Sequence, residues 1–302
     1  MTKRSARHRP PSGRSFGSVV RGVVGALGYD LVRKHYYSAI PDLGTIPADV
    51  WTRRSELRGL QLDNDAGLDF VQRELAPYLA EFAAPESVTE DPREFHFGNG
   101  FYDRVDAELL YAMVRRFSPP QIVELGSGMS SLVIADARAR NDLAASRHVI
   151  YDPFPTPRLA STLAQVAELH EVPASEVPIS DFERLRSGDL LFVDTTHTVK
   201  IASDVNRVIL DVLPVLAPGV IVHFHDIFLP WEYPREFLER RRFFWAEQYL
   251  LQAFLAFNGE FEVLFSAHGL QREHPREIAE LIPGGDGAPA SAALWIRRSE
   301  AN

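Results

Sequence analysis

The sequence contains no cysteine among its 302 residues. Disulfide bonds, thiolate catalysis and cysteine-ligated zinc are therefore excluded. Long apolar runs are also missing, because residues 208–222 are interrupted by an aspartate, two prolines and a glycine, and a bilayer span needs about 18 apolar residues. The basic first residues lack the continuous apolar core of a signal peptide. Together these absences favour a cytoplasmic protein without a membrane partner.

Positive charge is scarce outside the first residues of the chain. The net charge is −9, yet residues 1–37 contain eight lysines and arginines and one acidic residue, so the remainder must carry −16. Such an acidic body argues against nucleic acid as a partner. Residues 1–16, rich in Arg, Ser, Pro and Gly, predict a disordered basic tail. Residues 17–104 are expected to form a helical, lid-like extension, and residues 105–302 the main domain.

Short apolar runs alternate with stretches of helical periodicity from residue 105 onwards, a pattern typical of βαβ units. We therefore predict an α/β fold, a mostly parallel sheet of about seven strands preceded by an N-terminal helical extension. The predicted strands are 121–125, 148–151, 170–172, 190–193, 219–224, 261–265 and 292–296. The predicted helices are a weak one over 19–32, then 60–82, 105–117, 131–140, 158–169, 199–216 and 237–257.

A glycine-rich turn follows the first strand of the main domain, in the sequence IVELGSGMSS of residues 122–131. Gly126 and Gly128 permit a tight turn and leave room for a ligand to lie against the backbone. The helix that follows directs its unpaired N–H groups at the same place. Strand, turn and helix together predict a nucleotide-type ligand site.

Three features of this turn favour S-adenosylmethionine over a dinucleotide. Ser131 stands where the dinucleotide fingerprint has its third glycine. Glu124 suits an ammonium or sulfonium group and would repel a pyrophosphate. Asp152 ends the second strand, where an acid accepts hydrogen bonds from ribose hydroxyls. This last feature fits NAD as well, so it supports a nucleoside more than a particular cofactor, and Asp152 could instead cap the next helix.

At these residues the chain resembles the class I S-adenosylmethionine-dependent methyltransferases, over roughly residues 105–298. The resemblance implies a Rossmann-like seven-stranded sheet with helices on both faces and an antiparallel last strand. It also implies contacts from Glu124, Gly126, Ser127 and Gly128 to the methionine part of the cofactor and from Asp152 to its ribose. Two further cofactor-binding candidates are Ser130 and Asp194.

Polar residues follow the fourth and fifth predicted strands: Asp194 and His197 after one, His225 and Asp226 after the other. Because parallel strands open on the same crevice at their carboxyl ends, these four candidate catalytic residues should converge. Asp204 lies seven residues after His197 and would orient its imidazole if both belong to one helix.

Two chemistries fit this group. Either His197 or His225 takes a proton from a substrate hydroxyl, or Asp194 and Asp226 hold a divalent ion such as Mg²⁺ that lowers the pKa of the hydroxyl. The chain is similar to macrocin-type sugar O-methyltransferases, which have an acid at the position of Asp194 and an acidic pair after strand five. Here only Asp226 is present, with His225 beside it, so metal dependence stays open.

The function expected from these residues is O-methylation of a small-molecule acceptor, a sugar or natural product, in biosynthesis. Aromatic residues favour such a ligand, because Trp245 shares a predicted helix face with Arg242 and Tyr249, while Tyr36, Tyr37, residues 99–103 and residues 231–234 are candidate lids. N-methylation, an NAD-linked oxidoreductase, a non-catalytic cofactor-binding protein and a macromolecular acceptor remain alternatives. Assembly as a homodimer is also open.

Overall fold

The computed structural model describes residues 20, 23–31, 35–141 and 146–300. These residues fall into two compact units, one that reaches to Gly44 and one that begins at Thr45. The predicted tail over residues 1–16 lies outside the described residues, as does part of the predicted helix 19–32. None of the described helices is long and apolar enough to cross a membrane.

The larger unit contains a seven-stranded sheet, and its strand order is β3-β2-β1-β4-β5-β7-β6. Neighbouring strands are parallel except that β7 is antiparallel to both β5 and β6. The strands are β1 (Gln121–Leu125), β2 (Arg147–Tyr151), β3 (Glu168–His170), β4 (Leu190–Val193), β5 (Ile221–Phe224), β6 (Phe261–Ser266) and β7 (Leu294–Arg298). The predicted Rossmann-like architecture with an antiparallel last strand is confirmed.

The described residues of the larger unit contain ten α-helical segments. The α-helices are α1 (Asn64–Phe70), α2 (Ala76–Leu79), α3 (Asp106–Phe117), α4 (Met129–Arg140), α5 (Pro157–Leu163), α6 (Ile179–Glu183), α7 (Asp204–Arg207), α8 (Glu247–Leu255), α9 (Ala267–Glu273) and α10 (Pro275–Leu281). π-Helical turns cover Val71–Leu75, Val208–Val212 and Phe237–Arg241. Shorter 3₁₀ turns cover Leu43–Thr45, Ala48–Trp51, Ala174–Glu176 and Leu213–Val215.

The two faces of the sheet bury separate apolar clusters, as strand geometry requires. Leu190 and Phe192 of β4 pack on the same side as α3 and α4. Leu191 and Val193 alternate with them and pack on the opposite side, against the helical stretch that begins with α7. All four residues are buried, so β4 lies in the centre of a sheet with helices on both faces.

The predicted continuous helix over residues 237–257 is wrong. The π-helical turn ends where Arg242 adopts a left-handed conformation with φ 59°, and the Phe243 N–H donates back to the Phe237 carbonyl at 2.8 Å. The chain then runs irregularly until α8 begins at Glu247. Arg242 and Trp245 consequently do not share a helix face with Tyr249.

Candidate functional site

The turn after β1 requires glycine at its first position. Gly126 has a φ of 86°, and a Cβ atom built on it would lie 1.9 Å from the carbonyl oxygen of Asp194. Only a residue without a side chain can bring this turn so close to the end of β4. Gly128 differs, because its backbone is extended and no atom lies within 4 Å of a Cβ built there. The turn is thus packed against the sheet at Gly126 and open at Gly128.

A cavity of about 440 Å³ lies at the carboxyl ends of β1, β2 and β4. Four of the predicted cofactor-binding residues line it: Gly126, Ser127, Asp152 and Asp194. Lys200 also lines the cavity and was not predicted. A larger cavity of about 810 Å³ lies beside β6 and residues 59–66, and no predicted site residue is among the described residues that line it. The smaller cavity is therefore the candidate ligand site.

Asp152 connects the end of β2 to the glycine-rich turn. Its carboxylate accepts hydrogen bonds from the Ser127 N–H at 3.1 Å and from the Ser127 hydroxyl, and its other oxygen accepts from the Phe154 N–H at 2.8 Å. Thr156, rather than Asp152, caps α5. Asp152 therefore presents a half-buried carboxylate at the cavity wall, as a ribose-binding acid would.

Glu124 occupies a different environment from the one its predicted role implies. Its side chain is fully buried and accepts hydrogen bonds from Ser130 at 2.8 Å and Ser131 at 3.0 Å, and it pairs with His148 at 2.8 Å. These partners join β1, β2 and the start of α4. Glu124 and Ser130 thus stabilise the turn from beneath it, and neither is among the residues that line the cavity.

Three of the four predicted catalytic residues come together in one cluster. His197 Nε2 lies 3.2 Å from a carboxylate oxygen of Asp194 and 3.4 Å from one of Asp226. His197 Nδ1 lies 2.7 Å from Glu247, whose side chain is only 1% exposed. The possible ligand atoms of Asp194, His197 and Asp226 all lie within 4.8 Å of one another. We call these three residues the Asp-His-Asp cluster.

Backbone conformation in the cluster is unusual for residues with side chains. His197 has a φ of 54° and Asp226 a φ of 56°. Few non-glycine residues adopt this left-handed region, and those that do are found preferentially at functional sites. The Ala246 N–H donates to the His197 carbonyl at 2.9 Å, which ties the segment before α8 to this loop.

The charged groups in and beside the cluster change one another's pKa values. Burial alone would lower the pKa of His197, but hydrogen bonds to Asp194 and Glu247 hold it well above its usual value. Burial would raise the pKa of Asp194, yet the hydrogen bond from His197 and the nearby histidines keep it below its usual value. Burial raises the pKa of Glu247 despite its bond to His197. The imidazole of His197 is thus held by negative charge on both of its nitrogens.

His225 lies next to the cluster without a hydrogen bond to it. Its side chain is buried, its ring is 4.8 Å from that of Tyr102, and its Nδ1 has no hydrogen-bond partner among the described residues. His223 points to the same face, 6.0 Å from the His225 ring, and stacks on Phe192 at 4.2 Å. Burial lowers the pKa of His223 well below its usual value, and neither of its ring nitrogens has a hydrogen-bond partner among the described residues. His223 is therefore a neutral residue of the core.

The predicted role of Asp204 as the residue that orients His197 is wrong. The helix begins at Asp204 and not before His197, because Ser203 caps it through the Asn206 N–H. Asp204 instead accepts hydrogen bonds from the backbone and hydroxyl of Thr196, at 3.0 and 2.6 Å. Glu247, 50 residues away in sequence, orients the imidazole. Its only signal in the sequence is weak: Glu247 is the single charged residue of α8.

One of the predicted lid segments, residues 231–234, is packed into the protein, whereas residues 99–103 contain both an exposed Phe101 (85%) and a buried Tyr102. Tyr102 is 3% exposed, and its hydroxyl donates to the Asp106 carbonyl at 3.3 Å. Trp231 is 8% exposed and lies beneath the guanidinium of Arg272 at 4.5 Å. Tyr36 and Tyr37, in the smaller unit, are exposed.

Residues 123–227 match the family model described as a methyltransferase domain. This range begins in β1 and ends just after Asp226, so it contains the glycine-rich turn, Asp152 and the Asp-His-Asp cluster. Together with the sheet order, the match identifies an enzyme of the methyltransferase class.

Similar proteins were found in curated sequences and among solved structures. An uncharacterized protein of Archaeoglobus fulgidus is 27% identical over 165 residues, which cover 51% of this chain and 73% of the relative. The O-methyltransferase TomG of Streptomyces achromogenes, solved with S-adenosylmethionine, is 16% identical, with 78% of this chain and 97% of that chain covered at a TM-score of 0.42. The O-methyltransferase of Bacillus cereus is 12% identical, with 79% and 92% covered at a TM-score of 0.38.

Proposed function

We propose that the protein transfers a methyl group from S-adenosylmethionine to a hydroxyl group of a small molecule. The observation that carries this proposal is the position of Asp194, which lines the cavity beside Gly126 and Asp152 and also belongs to the Asp-His-Asp cluster. One side chain thus joins a nucleoside-type pocket to a group of titratable residues. Transfer between two bound molecules requires such an arrangement.

The cavity residues fit the donor by shape and by charge. When bound, S-adenosylmethionine supplies a methyl group activated on a positively charged sulfur. Asp152 would exchange its bond from the Ser127 hydroxyl for bonds from the ribose hydroxyls, and the open space over Gly128 would admit the rest of the molecule. In this proposal Glu124 and Ser130 support the turn from below and do not contact the donor.

The Asp-His-Asp cluster fits a divalent cation. Two carboxylates and an imidazole are common metal ligands, and the Glu247–His197 bond has the form of a carboxylate that orients a metal-binding histidine. The imidazole favours a transition metal such as Mn²⁺ over Mg²⁺. A bound ion would lower the pKa of an acceptor hydroxyl placed on it. The predicted pair of ligands, Asp194 and Asp226, is thereby extended to include His197.

His225 is the remaining candidate for the general base. Both ring nitrogens of His197 are engaged by carboxylates, Nε2 by Asp194 and Nδ1 by Glu247. By contrast, His225 Nδ1 has no partner among the described residues. The cluster also favours O-methylation over its alternatives. A neutral amine is nucleophilic without a strong base, and a non-catalytic binding protein would have no need of converging carboxylates and histidines.

Calorimetric titration with S-adenosylmethionine tests the donor. We expect the native chain to bind it, and Asp152→Ala to bind at least about tenfold more weakly because charge-assisted bonds to the ribose are lost. Asp211→Ala, which removes an exposed acid paired with Arg207, is the matched control and should bind as the native chain does. Absence of binding, combined with binding of NAD, would overturn the proposal.

A further inference from the structure

A row of half-exposed aromatic rings extends outward from the Asp-His-Asp cluster. The Trp245 ring lies 4.4 Å from the His197 ring, and the Phe243 ring stacks on Trp245 at 4.6 Å with an interplanar angle of 14°. Phe237 packs edge-on against Trp245 at 5.1 Å. Together these rings form an apolar patch that begins at the candidate metal site, and we call it the aromatic wall.

This wall is held in place at both ends. The left-handed conformation of Arg242 reverses the chain, and the Phe243 N–H bonds to the Phe237 carbonyl. At the other end, the N–H groups of Ala246 and Glu247 both donate to the His197 carbonyl, at 2.9 and 3.2 Å. The wall is therefore fixed relative to the cluster before any ligand binds, which reduces the entropic cost of binding.

Three consecutive arginines, Arg240 to Arg242, lie directly before the aromatic wall, and all three are exposed. The ion pairs found in this segment of the described chain join Arg235 to Glu239 and leave the three arginines without an acidic partner. The Arg242 guanidinium lies 5.1 Å from the Phe244 ring. Residues 232–242 contain two further acids outside this ion pair. Glu236 is exposed, and Glu232 accepts a hydrogen bond from Tyr249. The arginines thus place surplus positive charge beside the wall in a protein of net charge −9.

We propose that this segment binds the acceptor and that the acceptor is an anionic, ring-shaped hydroxyl compound, a sugar or similar ring that carries a phosphate or a carboxylate. The ring lies against Phe243 and Trp245, and its anionic group binds Arg242 with Arg240 or Arg241. Guanidinium groups match the geometry of phosphate and carboxylate oxygens. The hydroxyl to be methylated then faces the Asp-His-Asp cluster. This inference rests on the proposed function.

The anion site can be tested without turnover by titrating the full chain with three probes: glucose 1-phosphate, glucuronate and the neutral methyl glucoside. Saturation-transfer NMR would follow binding. We expect at least one anionic probe to bind at least about tenfold more tightly than methyl glucoside. A preference for glucose 1-phosphate would indicate phosphate as the anionic group, and a preference for glucuronate would indicate carboxylate.

Variants assign the bound probe to this segment. Arg242→Gln, and the double variant Arg240→Gln with Arg241→Gln, should each lower the affinity for the anionic probe about tenfold or more and leave methyl glucoside unaffected. Arg276→Gln, at an exposed arginine of α10, is the matched control and should change nothing. Equal binding of charged and neutral probes, no binding of either anion, or full affinity in the Arg242→Gln chain would overturn the inference.

Titration of the same samples with S-adenosylmethionine separates this inference from the proposed function. If the donor binds and neither anion binds in preference to methyl glucoside, the acceptor assignment is wrong while the function stands. If the anions bind as expected and the donor does not, the anion site is supported and the proposed methyl donor is wrong.

Discussion

Two glycines of the same turn meet different structural demands. Gly126 combines a positive φ with a backbone oxygen where its Cβ would be, whereas Gly128 has an extended backbone and open space. The first glycine is needed for the fold of the turn. The second leaves volume that the proposed donor would fill.

Alanine substitutions should separate these two roles. We expect Gly126→Ala to lower the free energy of unfolding by roughly 2–5 kcal/mol, because it adds both backbone strain and a steric clash. Gly128→Ala should change it by less than about 1 kcal/mol and weaken S-adenosylmethionine binding instead. Urea unfolding and calorimetry measure the two effects. Equal stability of the two variants would contradict this assignment.

Glu247 provides the test of the metal site at a single residue. The variant Glu247→Gln keeps the size of the side chain and can still accept the bond from His197 Nδ1, but it removes the negative charge behind the imidazole. We expect its affinity for Mn²⁺ to fall about 10–100-fold, the usual effect of altering such a partner. Paramagnetic resonance of unbound Mn²⁺ in EDTA-treated, then dialysed, protein would measure it.

Glu262→Gln is the control for this substitution, since Glu262 is exposed and pairs with Arg297 at 2.6 Å. It should bind Mn²⁺ as the native chain does. If neither the native chain nor the variants bind Mn²⁺ or Mg²⁺, the cluster is not a metal site. His225 as a general base is then the remaining way to activate the acceptor hydroxyl.

The candidate site could be predicted from the sequence where chemistry follows directly from position in a strand. Asp152, Asp194 and Asp226 each come just after a buried apolar strand, and all three lie at the carboxyl ends where they were expected. Glu247 could not be predicted, because it reaches His197 across 50 residues. His225 lies next to the other three candidate catalytic residues, and its ring packs against Tyr102.

At the scale of elements, strands were easier to predict than helices. The predicted strands 121–125 and 190–193 agree with β1 and β4 to the residue, since a buried parallel strand is a short apolar run with definite ends. Two helix starts were placed several residues too early. The helix predicted from residue 199 begins at Asp204, and the one predicted from residue 60 begins at Asn64, because the side chains of Ser203 and Asp63 cap them. Capping depends on local geometry that apolar periodicity does not report.

The start of α9 depends on a cap that is unusually well buried. The Ser266 hydroxyl accepts from the Gly269 N–H at 3.0 Å and donates to the Leu229 carbonyl at 2.7 Å. It therefore joins the end of β6 to the loop after β5 as well as beginning the helix. Thr156 caps α5 through a single bond of 3.3 Å from the Leu159 N–H, in an exposed position.

We expect Ser266→Ala to lower the free energy of unfolding by about 2–3 kcal/mol, because it removes a cap and leaves a buried carbonyl without its donor. Thr156→Ala should cost about 0.5–1 kcal/mol. Urea unfolding of the two variants compares them directly. A cost for Thr156→Ala as large as that for Ser266→Ala would show that burial of the cap adds nothing.

At the scale of the whole molecule, the sheet order determines where chemistry can occur. The strand order 3-2-1-4-5-7-6 places β1 and β4 side by side in the centre, so their loops border one crevice. The topology was predictable because alternating strand and helix patterns admit few arrangements. The contact of residues 245–247 with His197 was not predictable, since a left-handed Arg242 interrupts what reads as one continuous helix.

Buried titratable groups make the stability of the whole molecule depend on pH. Burial raises the pKa of Glu108 from 4.5 to about 7, so between these values the folded chain binds more protons than the unfolded chain. Its contribution to stability is therefore present below pH 4.5 and is lost as the pH rises through 7. Burial lowers the pKa of His268 from 6.5 to about 4. Its contribution is present above pH 6.5 and is lost as the pH falls through 4.

We predict that Glu108→Gln removes the loss of stability that Glu108 causes between pH 4.5 and 7. Glutamine can still accept the bond that the Val105 N–H donates at 2.6 Å, so the helix start is kept. Relative to this variant, the native chain should lose up to roughly 3 kcal/mol of stability between pH 4.5 and 7, from a pKa change of about 2.5. His268→Gln should show the opposite sign, with the native chain losing stability relative to it as the pH falls from 6.5 to 4. Urea unfolding at several pH values gives both differences, and two differences of the same sign would refute the assignment of these shifts to burial.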